Sequence, residues 1–262
     1  MPTLVTERGI VHYERHGYGR PVLLLHGWLG SWELWRNSIE ILGKEFRTYA
    51  VDFFGFGDSI DRESDFSVDN FVSLVSQFMD QLGIVKAPLI GHSMGGTVSL
   101  AASLRYPEKI VKTIVVGSPI QGNSLNLLLK FSGYKGIASI LWTTPMLLKT
   151  FMRGYAYFLA KDGKSLGDMI VRDISNVTAD SFFQSIGTLR DTDLRSQIGE
   201  IKVPVLGIYG KHDRIVNPRQ SKVLQQYAPQ SKLAWFENSG HFPMMDEPDR
   251  FHATVRDFLN NG

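Results

Sequence analysis

The chain has 262 residues and a formal net charge of only +2, and its basic side chains are scattered rather than gathered into runs. That pattern leaves no electrostatic footprint for nucleic acid, and the absence of cysteine excludes disulfides, thiolate metal sites and a cysteine nucleophile. No apolar stretch approaches the roughly 18 to 20 residues that cross a bilayer, and Glu7, Arg8, His12, Glu14 and Arg15 stand where a signal peptide would be apolar, so a soluble cytoplasmic protein without membrane insertion is expected.

Residues 3–8 and 10–16 read as an N-terminal hairpin turning at Arg8-Gly9. Residues 22–25 are continuously apolar, as expected of a strand covered on both faces. A helix follows over 32–42 and a strand over 48–51. From Ser67 the period changes: Phe71, Leu74, Val75, Phe78, Met79 and Leu82 recur at steps of three and four, and Gly83 follows as a stop signal. Residues 87–90 then predict a strand, 94–105 a helix ended before Pro107, and 110–116 another buried strand. After Pro204 the alternation resumes, with strands over 205–209 and 233–236 and helices over 218–227 and 248–259. This is the pattern of an α/β fold, a mostly parallel central sheet with flanking helices.

Residues 121–192 differ from both flanks, being rich in Leu, Phe, Tyr and Met with interspersed Lys and Arg. They read as a helical cap inserted in a core made of residues 1–120 and 193–262. Its position suggests that it lies over the strand ends, where open α/β sheets bind ligands. Its aromatic and Met residues, among them Phe131, Trp142, Met146, Phe151, Tyr155 and Phe158, divide between core packing and substrate contact.

Gly91-His92-Ser93-Met94-Gly95 has the form G-x-S-x-G, placed between a predicted strand and a predicted helix. A tight strand-to-helix turn there leaves little room beside the serine, and flanking glycines provide it. A serine hydroxyl needs a base to take its proton and an acid to orient that base. Gly210-Lys211-His212-Asp213 follows one predicted strand, and Gly240-His241 follows the last. Asp191 and Asp193 compete for the acid's place, but neither follows a predicted strand, and the order Ser, Asp, His favours Asp213.

Together with His26-Gly27-Trp28 and the segment from Asp52 to Ser59, these motifs make the chain resemble the α/β hydrolases over essentially its full length. The resemblance implies Ser93 as nucleophile, Asp213 as orienting acid and His241 as base. It also implies an oxyanion hole from the backbone amides of Trp28 and Met94. His26, His92, Trp142 and Phe242 are expected around the substrate, His26 and His92 as structural or pocket-lining residues rather than as the base. Asp52 to Ser59 is expected to be a structural turn whose Phe53 and Phe54 reach the pocket, and His12, His16, His212 and His252 are expected to be surface or structural. No cofactor or metal is expected, since no metal-ligand spacing or phosphate-binding glycine pattern occurs. The implied activity is hydrolysis of carboxylic esters or thioesters of small to medium apolar substrates through an acyl-enzyme. A carbon-carbon bond hydrolase using the same residues and a slow-turnover ligand receptor are the alternatives. Family members that open epoxides or remove halogens use an aspartate nucleophile, so Ser93 speaks against both.

Overall fold

The computed structural model describes residues 2–125 and 145–261. Its centre is a nine-stranded sheet. The first strands are β1 (Thr3–Val5), β2 (Gly9–His16), β3 (Pro21–Leu25), β4 (Arg47–Val51) and β5 (Ile60–Asp61). The remainder are β6 (Ala87–His92), β7 (Ile110–Val116), β8 (Val205–Gly210) and β9 (Lys232–Phe236). The order is β1-β2-β4-β3-β6-β7-β8-β9, with β5 on β2. From β4 to β9 every pairing is parallel, whereas β2 runs antiparallel to β1, β4 and β5.

The central strands are apolar because helices cover both faces; Val22, Leu23, Leu24 and Leu25 are wholly buried. The covering helices are α1 (Arg36–Leu42), α2 (Val68–Gln81), α3 (Met94–Arg105) and, near the C-terminus, α7 (Gln220–Tyr227), α8 (Pro243–Asp246) and α9 (Pro248–Asn261). Helix α2 buries Phe71, Leu74, Val75, Phe78 and Met79, the stripe its sequence period predicts. The Ser67 hydroxyl caps it by accepting from the Asn70 amide at 3.2 Å. Residues 32–42 begin as a 3-10 turn (Trp32–Trp35) before α1, a tightening that the apolar period does not reveal. The two-residue β5 and four-residue α8 are too short to carry a period at all.

Between β7 and β8 the described residues form α4 (Pro145–Ala156), α5 (Gly163–Ile174) and α6 (Ala179–Asp191). An isolated bridge between Gln121 and Asp193 brings the two ends of this segment together. Trp142 and Phe131 lie outside the described residues.

The chain leaves β3 for β4 on one side and reaches β6 on the other, so the sheet reverses its winding between β3 and β6. At such a point the loops beyond neighbouring strand ends diverge and leave a crevice. Leu25 and Gly91 are register partners at its floor, which sets the loop after β3 beside the turn after β6.

Candidate active site

Ser93 follows β6 and precedes α3, with φ 51° and ψ −118°. A non-glycine residue at positive φ is strained, and this one persists because its surroundings over-determine it. Its amide donates to the Val116 carbonyl at 2.8 Å, and the amides of Gly96 and Thr97 return to its own carbonyl. The glycines are there for contact: a Cβ on Gly91 would lie 2.2 Å from the Gly95 oxygen, and one on Gly95 2.3 Å from the Leu25 oxygen. The turn thus lifts Ser93 into the crevice, where its hydroxyl bonds to no described residue.

His241 and Asp213 arrive from the loops after β9 and β8. The His241 Nδ1–H donates to Asp213 Oδ2 at 2.7 Å, and His241 lines the same cavity as Ser93. The other Asp213 oxygen accepts from the amides of Ile215 and Val216 at 2.8 and 2.9 Å, fixing the carboxylate plane. Gly117, at φ 56°, lies against this pair: a Cβ there would sit 3.2 Å from both Asp213 Oδ2 and His241 Nδ1. His92 donates from Nε2 to the His241 carbonyl at 2.9 Å. Burial, reinforced by the neighbouring His241, holds His92 well below the usual histidine range, so it is neutral.

Across the crevice the loop after β3 turns sharply, with the Gly30 amide on the Gly27 carbonyl at 3.1 Å and Leu29 at φ 57°. Among the described residues the amides of Trp28 and Met94 have no acceptor, so two donors stand free beside Ser93. The Trp28 ring lines the cavity and its Nε1 donates to the Phe182 carbonyl at 3.3 Å.

Of its two expected places His26 takes the structural one and not the pocket wall. It is fully buried and absent from the cavity wall, because both its nitrogens are committed: Nδ1 donates to the Gly27 carbonyl at 2.7 Å and Nε2 accepts from the Phe53 amide at 3.0 Å. Burial lowers its pKa and keeps it neutral, and it shapes the loop from beneath. Phe53 and Phe54 are likewise fully buried and absent from the pocket lining, and the Phe53 ring packs 4.9 Å from that of His26.

The cavity of about 150 Å³ lies between the strand ends and helices α4, α5 and α6. His92, Ser93, His241 and Phe242 form part of its floor, and Phe151, Met152, Tyr155, Leu159, Met169 and Ile186 part of its roof. Its described lining contains no Asp, Glu, Lys or Arg. Met146 and Phe158, by contrast, are 82% and 65% exposed and pack into neither core nor pocket.

The competing acids pair elsewhere, Asp191 with Arg190 at 3.0 Å and Asp193 with Arg195 at 2.6 Å. His12 and His252 are buried structural residues; His252 Nε2 and the Ser38 hydroxyl share a bond at 2.9 Å. Among the described residues one group could surround a cation: the donor atoms of His12, Asp52 and Asp58 lie within 4.8 Å of one another. Asp52 already accepts from the Trp32 amide at 2.6 Å, the Asp58 amide at 3.1 Å and His12 Nδ1 at 2.7 Å, so the group serves as a clasp for the 52–59 turn. Gly57 is required there, since a Cβ would fall 2.2 Å from Asp52 Oδ2. No described helix is long and apolar enough to cross a membrane.

Sequence reasoning missed Gly117 and Leu29. A glycine directly after a predicted strand at the sheet's C-terminal edge was the available signal for the first. For the second there was none, because leucine does not advertise positive φ.

A family model described as alpha/beta hydrolase fold matches residues 20–248. The chain is 28% identical over 266 residues to a pimeloyl-[acyl-carrier protein] methyl ester esterase of Vibrio campbellii, covering 95% of this chain and 98% of that one. It is 29% identical to a 2-hydroxy-6-oxononadienedioate/2-hydroxy-6-oxononatrienedioate hydrolase of Comamonas testosteroni, covering 98% and 95%. The crystal structure of a hydrolase from Pseudomonas aeruginosa superposes with a TM-score of 0.86 at 20% identity, over 98% of this chain and 97% of that one.

Proposed function

The chain belongs to the α/β-hydrolase fold family, and from that premise we propose that it is a serine hydrolase of carboxylic esters or thioesters with small to medium apolar groups. One observation carries the reading: His241, bonded through Nδ1 to Asp213 Oδ2 at 2.7 Å, and Ser93 line the same cavity.

Ser93 Oγ attacks the ester carbonyl carbon while His241 Nε2 takes its proton. Asp213 holds the ring and stabilises the imidazolium that forms. The carbonyl oxygen gains charge and is met by the Trp28 and Met94 amides; one such donor lowers the barrier by on the order of 3 kcal/mol. The imidazolium then protonates the departing alcohol or thiol, leaving an acyl-enzyme. Water, deprotonated by His241, attacks that acyl carbon, and collapse returns the proton to Ser93 and frees the acid. Helices α4, α5 and α6 of the proposed 121–192 cap shape the acyl pocket in this scheme.

The similarity to methyl ester esterases supports an ester substrate. Carbon-carbon hydrolysis by the same three residues is the second reading, raised by the similarity to a hydrolase whose named substrate is a dioate. The described cavity lining offers no cationic side chain to pair with a second carboxylate, which favours the ester.

Turnover of p-nitrophenyl esters of increasing chain length, by the native protein and Ser93→Ala, tests the proposal. Multiple turnovers lost in the variant are expected. Full esterase activity in pure Ser93→Ala would overturn the role of Ser93, and no turnover by either protein would favour the carbon-carbon and receptor readings.

A further inference from the structure

Asp246 lies in α8, five residues beyond His241, and is about nine-tenths buried. Its two carboxylate oxygens are divided between two segments. Oδ2 accepts from the Gly240 amide at 2.8 Å, at the residue preceding His241. Oδ1 accepts from the Lys161 amide at 2.7 Å, in the turn between α4 and α5. The same turn touches the loop twice more. Lys161 Nζ donates to the Asp246 carbonyl at 3.3 Å, and a Cβ on Gly240 would lie 2.9 Å from the Leu159 carbonyl oxygen. Leu159 itself lines the cavity.

We propose that Asp246 is a positioning residue that fastens the 159–161 turn to the His241 loop, so that seating the helices over the cavity and placing the base are one event. This rests on the reading of His241 as base. The chemistry of the side chain carries it: an ionised carboxylate is acceptor-only, with two oxygens, and here each oxygen meets a backbone N–H from a different segment. Lifting the turn leaves one oxygen of a buried carboxylate without its donor, and the penalty falls on whatever Asp246 still holds, which is Gly240 and through it His241. The coupling is reciprocal, so an apolar molecule held beneath Leu159 also steadies the His241 loop.

Asp246→Asn is the informative variant. It keeps size and shape but has one acceptor oxygen, and its amide nitrogen faces a backbone N–H wherever it is turned. Hydrogen exchange at the backbone amides is measured in the full chain, native and Asp246→Asn, together with kcat on a p-nitrophenyl ester. The proposal expects exchange to rise about tenfold in both the 159–161 and 240–241 segments and kcat to fall by a similar factor. Exchange rising in only one segment, or kcat unchanged while both rise, would overturn it. Should Asp246→Asn not fold, the native protein with and without 1-octanol reports the same coupling. The alcohol slows exchange in both segments if the proposal holds, and a change confined to 159–161, or in neither segment at saturation, contradicts it. Activity surviving in Ser93→Ala removes the catalytic reading, whereas uncoupled exchange removes only this one.

Discussion

His92 donates from Nε2 to the main-chain oxygen of His241 at 2.9 Å, so the residue before the proposed nucleophile holds the backbone of the proposed base. Asp213 orients the imidazole from its Nδ1 side, and His92 anchors the main chain that carries it. The two His rings lie 4.6 Å apart at 60°, and Phe242 packs 4.9 Å from the His92 ring.

Replacing His92 with Leu removes that donor and leaves a buried carbonyl unpaired, a cost of about 1–3 kcal/mol. The expected result is a kcat about tenfold lower for His92→Leu, with His92→Gln, whose side-chain amide also carries an N–H, much closer to native. Steady-state kinetics on both variants checks this; native kcat in His92→Leu would show that the contact is idle.

Asp213→Asn should be severe although it changes no volume. The Ile215 and Val216 amides both require an acceptor, so the asparagine oxygen turns toward them and its NH₂ faces His241. His241 must then present Nδ1 as the acceptor and carry its proton on Nε2, the wrong tautomer for taking one from Ser93. A loss of kcat on the order of 10³- to 10⁴-fold is expected. A loss below about tenfold would place the orienting acid elsewhere.

Gly117→Ala introduces a methyl 3.2 Å from both members of the His241–Asp213 pair, at a φ of 56° that side chains rarely adopt. Stability should fall by roughly 1–3 kcal/mol. Because the methyl presses on the pair itself, kcat should fall well beyond any loss of folded protein. Thermal melting and active-site-normalised kinetics separate the two effects.

Asp173, on α5, accepts from the Ser31 hydroxyl at 2.9 Å, while its second oxygen is buried with no partner among the described residues. Burial raises its pKa to about 7; Asp52 and Glu33 add to the rise, and Arg172 and the Ser31 bond oppose it. A carboxyl with a raised native pKa binds more protons folded than unfolded, so its contribution to stability falls as pH rises from about 4 to about 7 and is constant above that. Asp173→Asn, which cannot ionise, should therefore melt higher than native at pH 8, and the advantage should vanish near pH 4. A difference in Tm independent of pH would contradict the assignment.

The longer elements of the core, and their order, were legible in the sequence. Helix α2 announces its buried face by period, α3 and β7 fall at the bounds their motifs and flanking prolines imply, and G-x-S-x-G marks a turn only glycines permit. It also determined which residues of the proposed triad stand after strand ends, because a strand followed by a glycine turn is a local signal. Everything that depends on two distant segments meeting came from the assembled fold. His26 reads like a pocket residue, yet its nitrogens are claimed by Gly27 and Phe53, so it lies beneath the loop. Asp246 owes its place between Gly240 and Lys161 to contacts that no period or spacing encodes. Local pattern reports which face a side chain takes along its own element. Whether a polar atom is left free or already bonded depends on what folds against it, and only the assembled chain fixes that.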